Sequence, residues 1–283
     1  MKSLTDYYTL HNGVTIPCVG FGTWQTPNDE VGITSVKTAL DVGYRHIDTA
    51  AIYGNEVSVG KAIKDSGIPR EEIFLTSKLW NEDHGYEATL RAFEESLKRL
   101  DTDYLDLYLI HWPNPPKFRD RWQEVNSETW KAMEELYEAG KIKAIGVSNF
   151  RTHHLKAIMD HAKIVPMVNQ IRLCPGDLQE ETVDFCREHD ILLEAYSPLG
   201  TGKVFDVPEM QFFEQKYGKS IAQICLRWSL ERGYLPLPKS VTPSRIEANA
   251  DIFDFELEER DVEDIANLTG ACGFGGDPDL KTF

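Results

Sequence analysis

The chain has 283 residues, 41% hydrophobic and 27% charged, which is ordinary globular usage with enough apolar material for a large core. A formal charge of -16 without any strong clustering of basic residues speaks against nucleic-acid partners. The five cysteines, Cys18, Cys174, Cys186, Cys225 and Cys272, are scattered and form no C-x-x-C pair, so neither a disulfide framework nor a metal site is expected and a reducing cytoplasm suits them.

The N-terminal "MKSLTDYYTLHNG" has no apolar signal region, and no apolar run reaches the roughly 18 residues of a membrane span, so neither secretion nor membrane insertion is expected. Within "YYTLHNGVTIP" the Asn12-Gly13 pair predicts a hairpin capping the bottom of the fold. A first strand, "CVGFGTW", comes next. Its "GFGTWQ" has Gln25 where a dinucleotide fingerprint needs a third glycine, and no helix begins there.

Apolar runs of strand length then alternate with amphipathic stretches. "YRHIDTA" and "EIFLTSKLW" are followed by the helical "ATLRAFEESLKRL", and "YLDLYLIHW" by "SETWKAMEELYEAG". "IKAIGVSNF" precedes "THHLKAIMDHA", "VPMVNQI" precedes "LQEETVDFCREH", and "ILLEAYSP" and "AQICLRWSLERG" lead to a last strand, "YLPLPKS". About eight repeats without a Pro/Gly/Ser-rich linker predict an α/β fold of one domain over residues 1–283, with a parallel sheet. An open doubly wound sheet and a closed (β/α)8 TIM barrel both fit; the count of eight favours the barrel.

Three further stretches carry expectations. His153, His154 and His161 share a helical pattern with no acidic or cysteine partner at ligand spacing, which reads as a solvated face. The tract "FELEERDVED" is expected to be an exposed amphipathic helix. "NPPKFRDRWQEV" reads as a loop over the site, its Phe118 and Trp122 open to either substrate contact or surface packing.

In a barrel, function gathers at the carboxyl ends of the strands. Thr23 and Trp24, Asp48 and Tyr53, Lys78 and Trp80, and His111 and Trp112 are therefore expected to converge with Ser148 and Asn149, Gln170, Tyr196 and Ser197, and Lys239 and Ser240. The period of two puts His111 on the face of Leu105, Leu107 and Leu109, pointing inward above them. Asp48 beside Lys78 stabilises both charges, and Lys78 beside Tyr53 favours the phenolate, lowering a phenol pKa from about 10. A phenol and a neutral imidazole aimed at one oxygen suit a carbonyl gaining electron density, and hence carbonyl reduction. After the last strand, Thr242 before Pro243 has the form of an N-cap with proline at the first helical position. That helix start, with Lys239 and Arg245, makes an anion site suited to a phosphate.

These residues resemble the aldo-keto reductases over nearly the whole chain. "GFGTW", "GYRHIDTAAIYGNE", "FLTSKLW", "YLDLYLIHWP", "GKIKAIGVSNF", "VNQI", "AYSPLG" and "LPKSVTPSRIEAN" occur in that family's order, most like its bacterial 2,5-diketo-D-gluconate and glyoxal or methylglyoxal reductases. The resemblance implies NADPH-dependent reduction of aldehydes or ketones to alcohols by a monomer, with hydride from the nicotinamide. Tyr53 would donate the proton, His111 orient the carbonyl, and Lys78 with Asp48 tune the tyrosine. Trp24, Tyr53, Trp80, His111 and Trp112 would wall the substrate site. Tyr196 would lie under the nicotinamide, with Ser148, Asn149 and Gln170 on its carboxamide. Gly22, Thr23, Trp24, Asp48, Ser197 and Leu199 match further NADP positions, as do Lys239, Ser240, Val241, Thr242, Arg245 and Asn249, with recognition of the 2′-phosphate at Lys239 and Arg245.

The rival reading, a non-catalytic NADP(H)-binding redox sensor or accessory barrel, has no need of the Asp48, Tyr53, Lys78 and His111 set. Departures from the family pattern are Arg172 and Cys174 in "NQIRLCP", where relatives have glutamate and histidine, Ala248 before Asn249 in place of glutamate, and Gln25 in place of a basic residue. The short, glycine-rich tail "GACGFGGDPDLKTF" predicts an open pocket of broad specificity.

Overall fold

Two short antiparallel strands, β1 (Tyr7–Thr9) and β2 (Thr15–Pro17), open the chain in the computed structural model, which describes residues 1–283. Their turn forms because Gly13 takes a positive φ of 86° and the Leu10 amide donates to Val14 O at 2.8 Å. Eight strands come next: β3 (Phe21–Gly22), β4 (His46–Asp48), β5 (Phe74–Leu79), β6 (Leu105–Ile110), β7 (Ile142–Ser148), β8 (Val168–Arg172), β9 (Leu192–Tyr196) and β10 (Leu235–Leu237). Each pairs in parallel with the next.

Closure separates the two candidate topologies. The amides of Gly20 and Gly22 donate to Pro236 O and Pro238 O at 3.1 and 2.9 Å, joining the first barrel strand to the last. The seam needs glycine: a Cβ on Gly20 would lie 2.5 Å from Leu237 Cδ2 and 2.6 Å from His46 Nδ1.

The outer layer consists of α1 (Glu30–Val42), α2 (Glu56–Ser66), α3 (Tyr86–Leu100), α4 (Trp122–Glu138), α5 (Thr152–Met159), α6 (Glu180–Glu188), α7 (Pro208–Tyr217), α8 (Ile221–Glu231), α9 (Pro243–Ala250) and α10 (Glu259–Ala266). Local chemistry sets their ends. Asp29 accepts from the Val31 and Gly32 amides at the start of α1, Gly43 closes that helix at φ 118°, and Ser220 with Gln223 forms a capping box on α8.

Helix α7, inserted between β9 and α8, falls outside the one-helix-per-strand pattern. The acidic tract also differs from expectation. Its helix begins only at Glu259, and Asp261 is buried, accepting from Tyr217 and, at 2.6 Å, from Lys216. No helix is long and apolar enough to cross a membrane.

The β6 alternation holds. Tyr108 faces outward, edge-on to Phe93 of α3, whereas Leu109 points into the barrel, where Gly146 makes room; a Cβ there would lie 2.8 Å from Leu109 Cδ2. His111 continues the inward register one step above.

Candidate active site

Strand β4 ends at Asp48, and the chain then makes a single 3-10 turn, Ala51–Tyr53, closed by Gly54 at φ 69°. Asn55 pins that turn: its Nδ2 donates to Thr23 O and Thr26 O at 2.8 and 3.0 Å, and its Oδ1 accepts from Thr49 Oγ1 at 2.7 Å. Tyr53 is thereby directed back over the barrel. Lys78, fully buried on β5, reaches three oxygens: Asp48 Oδ1 at 2.6 Å, Thr49 O at 2.9 Å and the Tyr53 hydroxyl at 3.4 Å. The His111 ring stands edge-on to Tyr53 with centroids 5.8 Å apart, and edge-on to Trp80 at 5.3 Å.

These contacts set the charges. Burial, Lys78 and His84 hold His111 well below the ordinary imidazole range, so it is neutral. Burial works against the Lys78 ammonium, but Asp48 and the other anionic neighbours outweigh it and raise its pKa. Tyr53 departs from the sequence expectation. Its phenol is raised, because burial of the hydroxyl and the Asp48 charge exceed the lowering effect of Lys78.

Beneath this group lies a polar layer that the motifs do not reveal. Gln170 Nε2 donates to Asp48 Oδ2 at 2.8 Å and to Glu194 Oε2 at 2.7 Å. Glu194 is fully buried and its Oε1 has no partner; the nearest base, His46 Nε2, is 3.8 Å away and is bonded to Thr76 Oγ1 at 3.0 Å. Burial first, with Asp48 adding to it, pushes the Glu194 carboxyl up to about 8, while burial and Lys78 bring His46 down to about 3. Strand alternation contains the signal: His46 is two before Asp48 and Glu194 two before Tyr196, so both occupy the next inward layer.

Along the neighbouring strand ends, Ser148 Oγ donates to Gln170 O at 2.8 Å. Asn149, at φ 62°, donates to His111 O at 2.9 Å and accepts from the Tyr196 hydroxyl at 2.7 Å. Ser197 at φ 48° and Gln25 at φ 60° share the left-handed backbone, so non-glycine residues of this kind recur at the barrel mouth. Thr23 donates through its amide and hydroxyl to Asp48 O at 3.0 and 2.9 Å, next to Gly22 of β3.

Trp24 is exposed, and Leu199 lies half-buried just beyond the Ser197 turn. Lys239, its pKa lowered by burial, donates to Gln25 O at 3.3 Å. Arg245 is exposed on the first turn of α9, Val241 is exposed before it, and Asn249 is buried beside the exposed Ala248. Thr242 occupies the N-cap position but its side chain caps nothing; its own amide donates to Ser240 Oγ at 3.0 Å. In the first turn of α9 Pro243 has no N–H and the Arg245 and Ile246 amides donate to Thr242 O at 3.0 and 3.1 Å, which leaves the Ser244 amide for an anion.

The C-terminal tail is not the open feature expected from its glycines. Arg172 pairs with Asp177 and donates to Cys272 O and Gly273 O at 2.8 and 2.9 Å, while Cys174 touches Cys272. Further on, Phe283 stacks on Trp80 with centroids 6.0 Å apart, meets Trp112 edge-on at 5.3 Å, and its carbonyl accepts from Asn81 at 2.8 Å. The tail therefore lies across the Trp80–Trp112 wall.

The histidine expectation also changes. His154 is fully buried, its Nδ1 accepting from the Arg151 amide at 3.1 Å, so its proton sits on Nε2, facing Asp279 Oδ1 at 2.9 Å. His153 meets the other Asp279 oxygen at 3.0 Å, and of the three only His161 is exposed without a side-chain partner. The acidic partner comes from the tail, beyond the reach of local spacing. Trp122 packs edge-on against His154 at 4.9 Å and Phe118 stacks on His84 at 6.2 Å, so both serve as packing.

A closed parallel barrel with carboxylate, ammonium, phenol and neutral imidazole joined at the carboxyl ends of its strands is an oxidoreductase barrel in fold and chemistry. The chain belongs to the aldo/keto reductase family, whose model matches residues 18–269. It is 50% identical over 281 residues to the glyoxal reductase of Bacillus subtilis (strain 168), covering 99% of each chain. Against the methylglyoxal reductase of Escherichia coli (strain K12) it is 46% identical over 272 residues, covering 95% of this chain and 96% of that one. An aldo-keto reductase of Bombyx mori solved in complex with NADP superposes with a TM-score of 0.85 at 35% identity, covering 96% of this chain and 94% of the other.

Proposed function

We propose that the protein is a single-domain, monomeric, cytoplasmic reductase that uses NADPH to convert small aldehydes and ketones, dicarbonyls such as glyoxal and methylglyoxal foremost, to alcohols. The observation that carries this reading is the Lys78 ammonium bonded at once to Asp48 and to the Tyr53 hydroxyl, with the neutral His111 ring beside that hydroxyl. When bound, the reduced nicotinamide supplies the hydride that no side chain can.

Tyr53 delivers the proton to the carbonyl oxygen. Its raised pKa is consistent with that role: at neutral pH the phenol keeps its proton until the substrate oxygen becomes more basic, and Lys78 then stabilises the phenolate left behind. His111, unable to carry charge, orients the carbonyl as a neutral donor. Trp24, Trp80 and Trp112 form walls of the substrate site.

Several features support a fit to the cofactor. Gln170 presents an amide oxygen with no protein donor, its backbone carbonyl accepts from Ser148 Oγ and the Asn149 amide, and Asn149 in turn accepts from the Tyr196 hydroxyl. At the other end, the uncapped start of α9, Lys239 and an Arg245 without an ion pair suit a 2′-phosphate. Thr23, Ser197, Leu199, Ser240, Val241, Thr242 and Asn249 would contact the cofactor between these ends. NADPH oxidation with methylglyoxal, assayed on the wild type and on Tyr53→Phe, tests the assignment. The variant is expected to lose activity by about two orders of magnitude or more; equal turnover would overturn it.

A further inference from the structure

We propose that Glu194 is a positioning residue for nicotinamide recognition: together with Asp48 it engages both N–H groups of Gln170 and leaves the Gln170 amide oxygen as the group shown to the cofactor carboxamide. The inference rests on the proposed contact between Gln170 and that carboxamide.

The geometry is specific. Gln170 on β8 pairs in register with Glu194 on β9, and the Gln170 nitrogen lies 2.7 Å from Glu194 Oε2 and 2.8 Å from Asp48 Oδ2 on β4. A primary amide has two N–H donors and one oxygen. Both donors here are taken from below by carboxyl groups on two different strands, and the oxygen accepts nothing from the protein. The flipped amide would set its oxygen against Asp48 Oδ2, which has no proton to give while it is paired with the Lys78 ammonium, so Asp48 dictates the orientation and Glu194 takes the second N–H. One anchor would let the amide plane swing about a single hydrogen bond; two anchors converging on one nitrogen hold it.

Glu194 makes no other hydrogen bond. It is fully buried, its Oε1 has no partner, and a buried carboxyl with one hydrogen bond is a net cost to the fold. A ligand group that donates N–H is the complement of the oxygen so displayed. The carboxamide NH2 of a nicotinamide is such a group, whereas an acetyl group in its place offers none.

Dissociation constants for NADP+ and for its 3-acetylpyridine analogue, measured by quenching of intrinsic fluorescence, provide the test. The wild type is expected to prefer the carboxamide form. Glu194→Leu is expected to reduce that preference about fivefold, the effect of one buried hydrogen bond. Glu194→Gln, whose side-chain oxygen can still accept from Gln170, retains it. Glu194→Met, of similar volume, stands in if the leucine variant does not fold.

An unchanged preference in the leucine or methionine variant overturns the inference, as does equal weakening of both cofactors, which marks a merely structural role. A wild type that binds NADP+ without preferring it to the analogue overturns the positioning role but leaves the cofactor reading intact. A wild type that binds neither overturns the cofactor reading itself.

Discussion

Replacing Lys78 with methionine removes the charge on which the acid–base group turns, and the structure allows the consequence to be worked through. The ammonium is fully buried and satisfies Asp48 Oδ1, Thr49 O and the Tyr53 hydroxyl. Methionine fills the volume but leaves the Asp48 carboxylate buried with only the Gln170 bond on its other oxygen. Breaking one side of such a pair costs about 3–5 kcal/mol, against a total stability of about 5–15 kcal/mol. The variant folds but unfolds at lower denaturant. The only effects lowering the Tyr53 pKa come from Lys78, so the phenol rises further and the phenolate loses its stabilising charge. By analogy with removing one donor from an oxyanion site, kcat falls about 10²–10³-fold.

The two effects separate in a double variant. Asp48→Asn in the Lys78→Met background removes the unpaired carboxylate, so part of the stability returns while kcat stays low. Urea unfolding and single-turnover reduction of methylglyoxal are the assays. A stability loss under about 1 kcal/mol in Lys78→Met, or a double variant less stable than the single one, would refute the argument for a buried, mutually dependent pair.

Two further outcomes arise from the same electrostatics. Arg245→Leu is expected to weaken NADPH binding about tenfold or more while changing NADH binding little, since the exposed guanidinium has no protein partner and its charge is available to a phosphate; equal losses for both cofactors in fluorescence titrations would argue against that contact. Acid should destabilise the fold through its buried histidines. Burial depresses His46 to about 3 and His84 and His154 to about 4, from 6.5. A base depressed in the folded state stabilises it above its unfolded pKa, so stability is expected to fall as pH drops from about 6.5 toward 4, where the unfolded chain binds protons that the folded one refuses. Thermal unfolding across that range in His84→Leu, which removes one of these groups, should show a shallower slope; an identical slope would count against it.

Where the period of two is undisturbed, the sequence places residues well: His111 above Leu109, and Lys78 within reach of Asp48, can be read from strand ends alone. Where the chain closes on itself, it does not. "CVGFGTW" reads as seven strand residues, yet only Phe21–Gly22 pair as a strand, because the seam against β10 is made by glycines at close approach. The Tyr53 environment is legible in its neighbours but not in its sign, since burial of the hydroxyl is a property of the assembled barrel. His154 reads as solvated because its carboxylate partner, Asp279, lies 125 residues away in the chain. Glu194 and His46 escape a search of strand ends because each sits one inward layer beneath the last residue of its strand.

The same limit explains the tail. Glycine-rich composition argues for mobility only if nothing else holds the backbone, and here two of the departures from the family pattern, Arg172 and Cys174, supply the hold. A glutamate at position 172 would meet Asp177 as a like charge and could donate nothing to the Cys272 and Gly273 carbonyls. Arg172 neutralises that carboxylate and donates to both. Because Cys174, the second departure, packs against Cys272 in the same segment, the two substitutions act at one junction. From that junction the chain continues to Asp279, held by Asn114, His153 and His154, and ends with Phe283 against Trp80 and Trp112. Two of the four departures, Arg172 and Cys174, thus anchor the segment from which the chain terminus reaches Trp80 and Trp112.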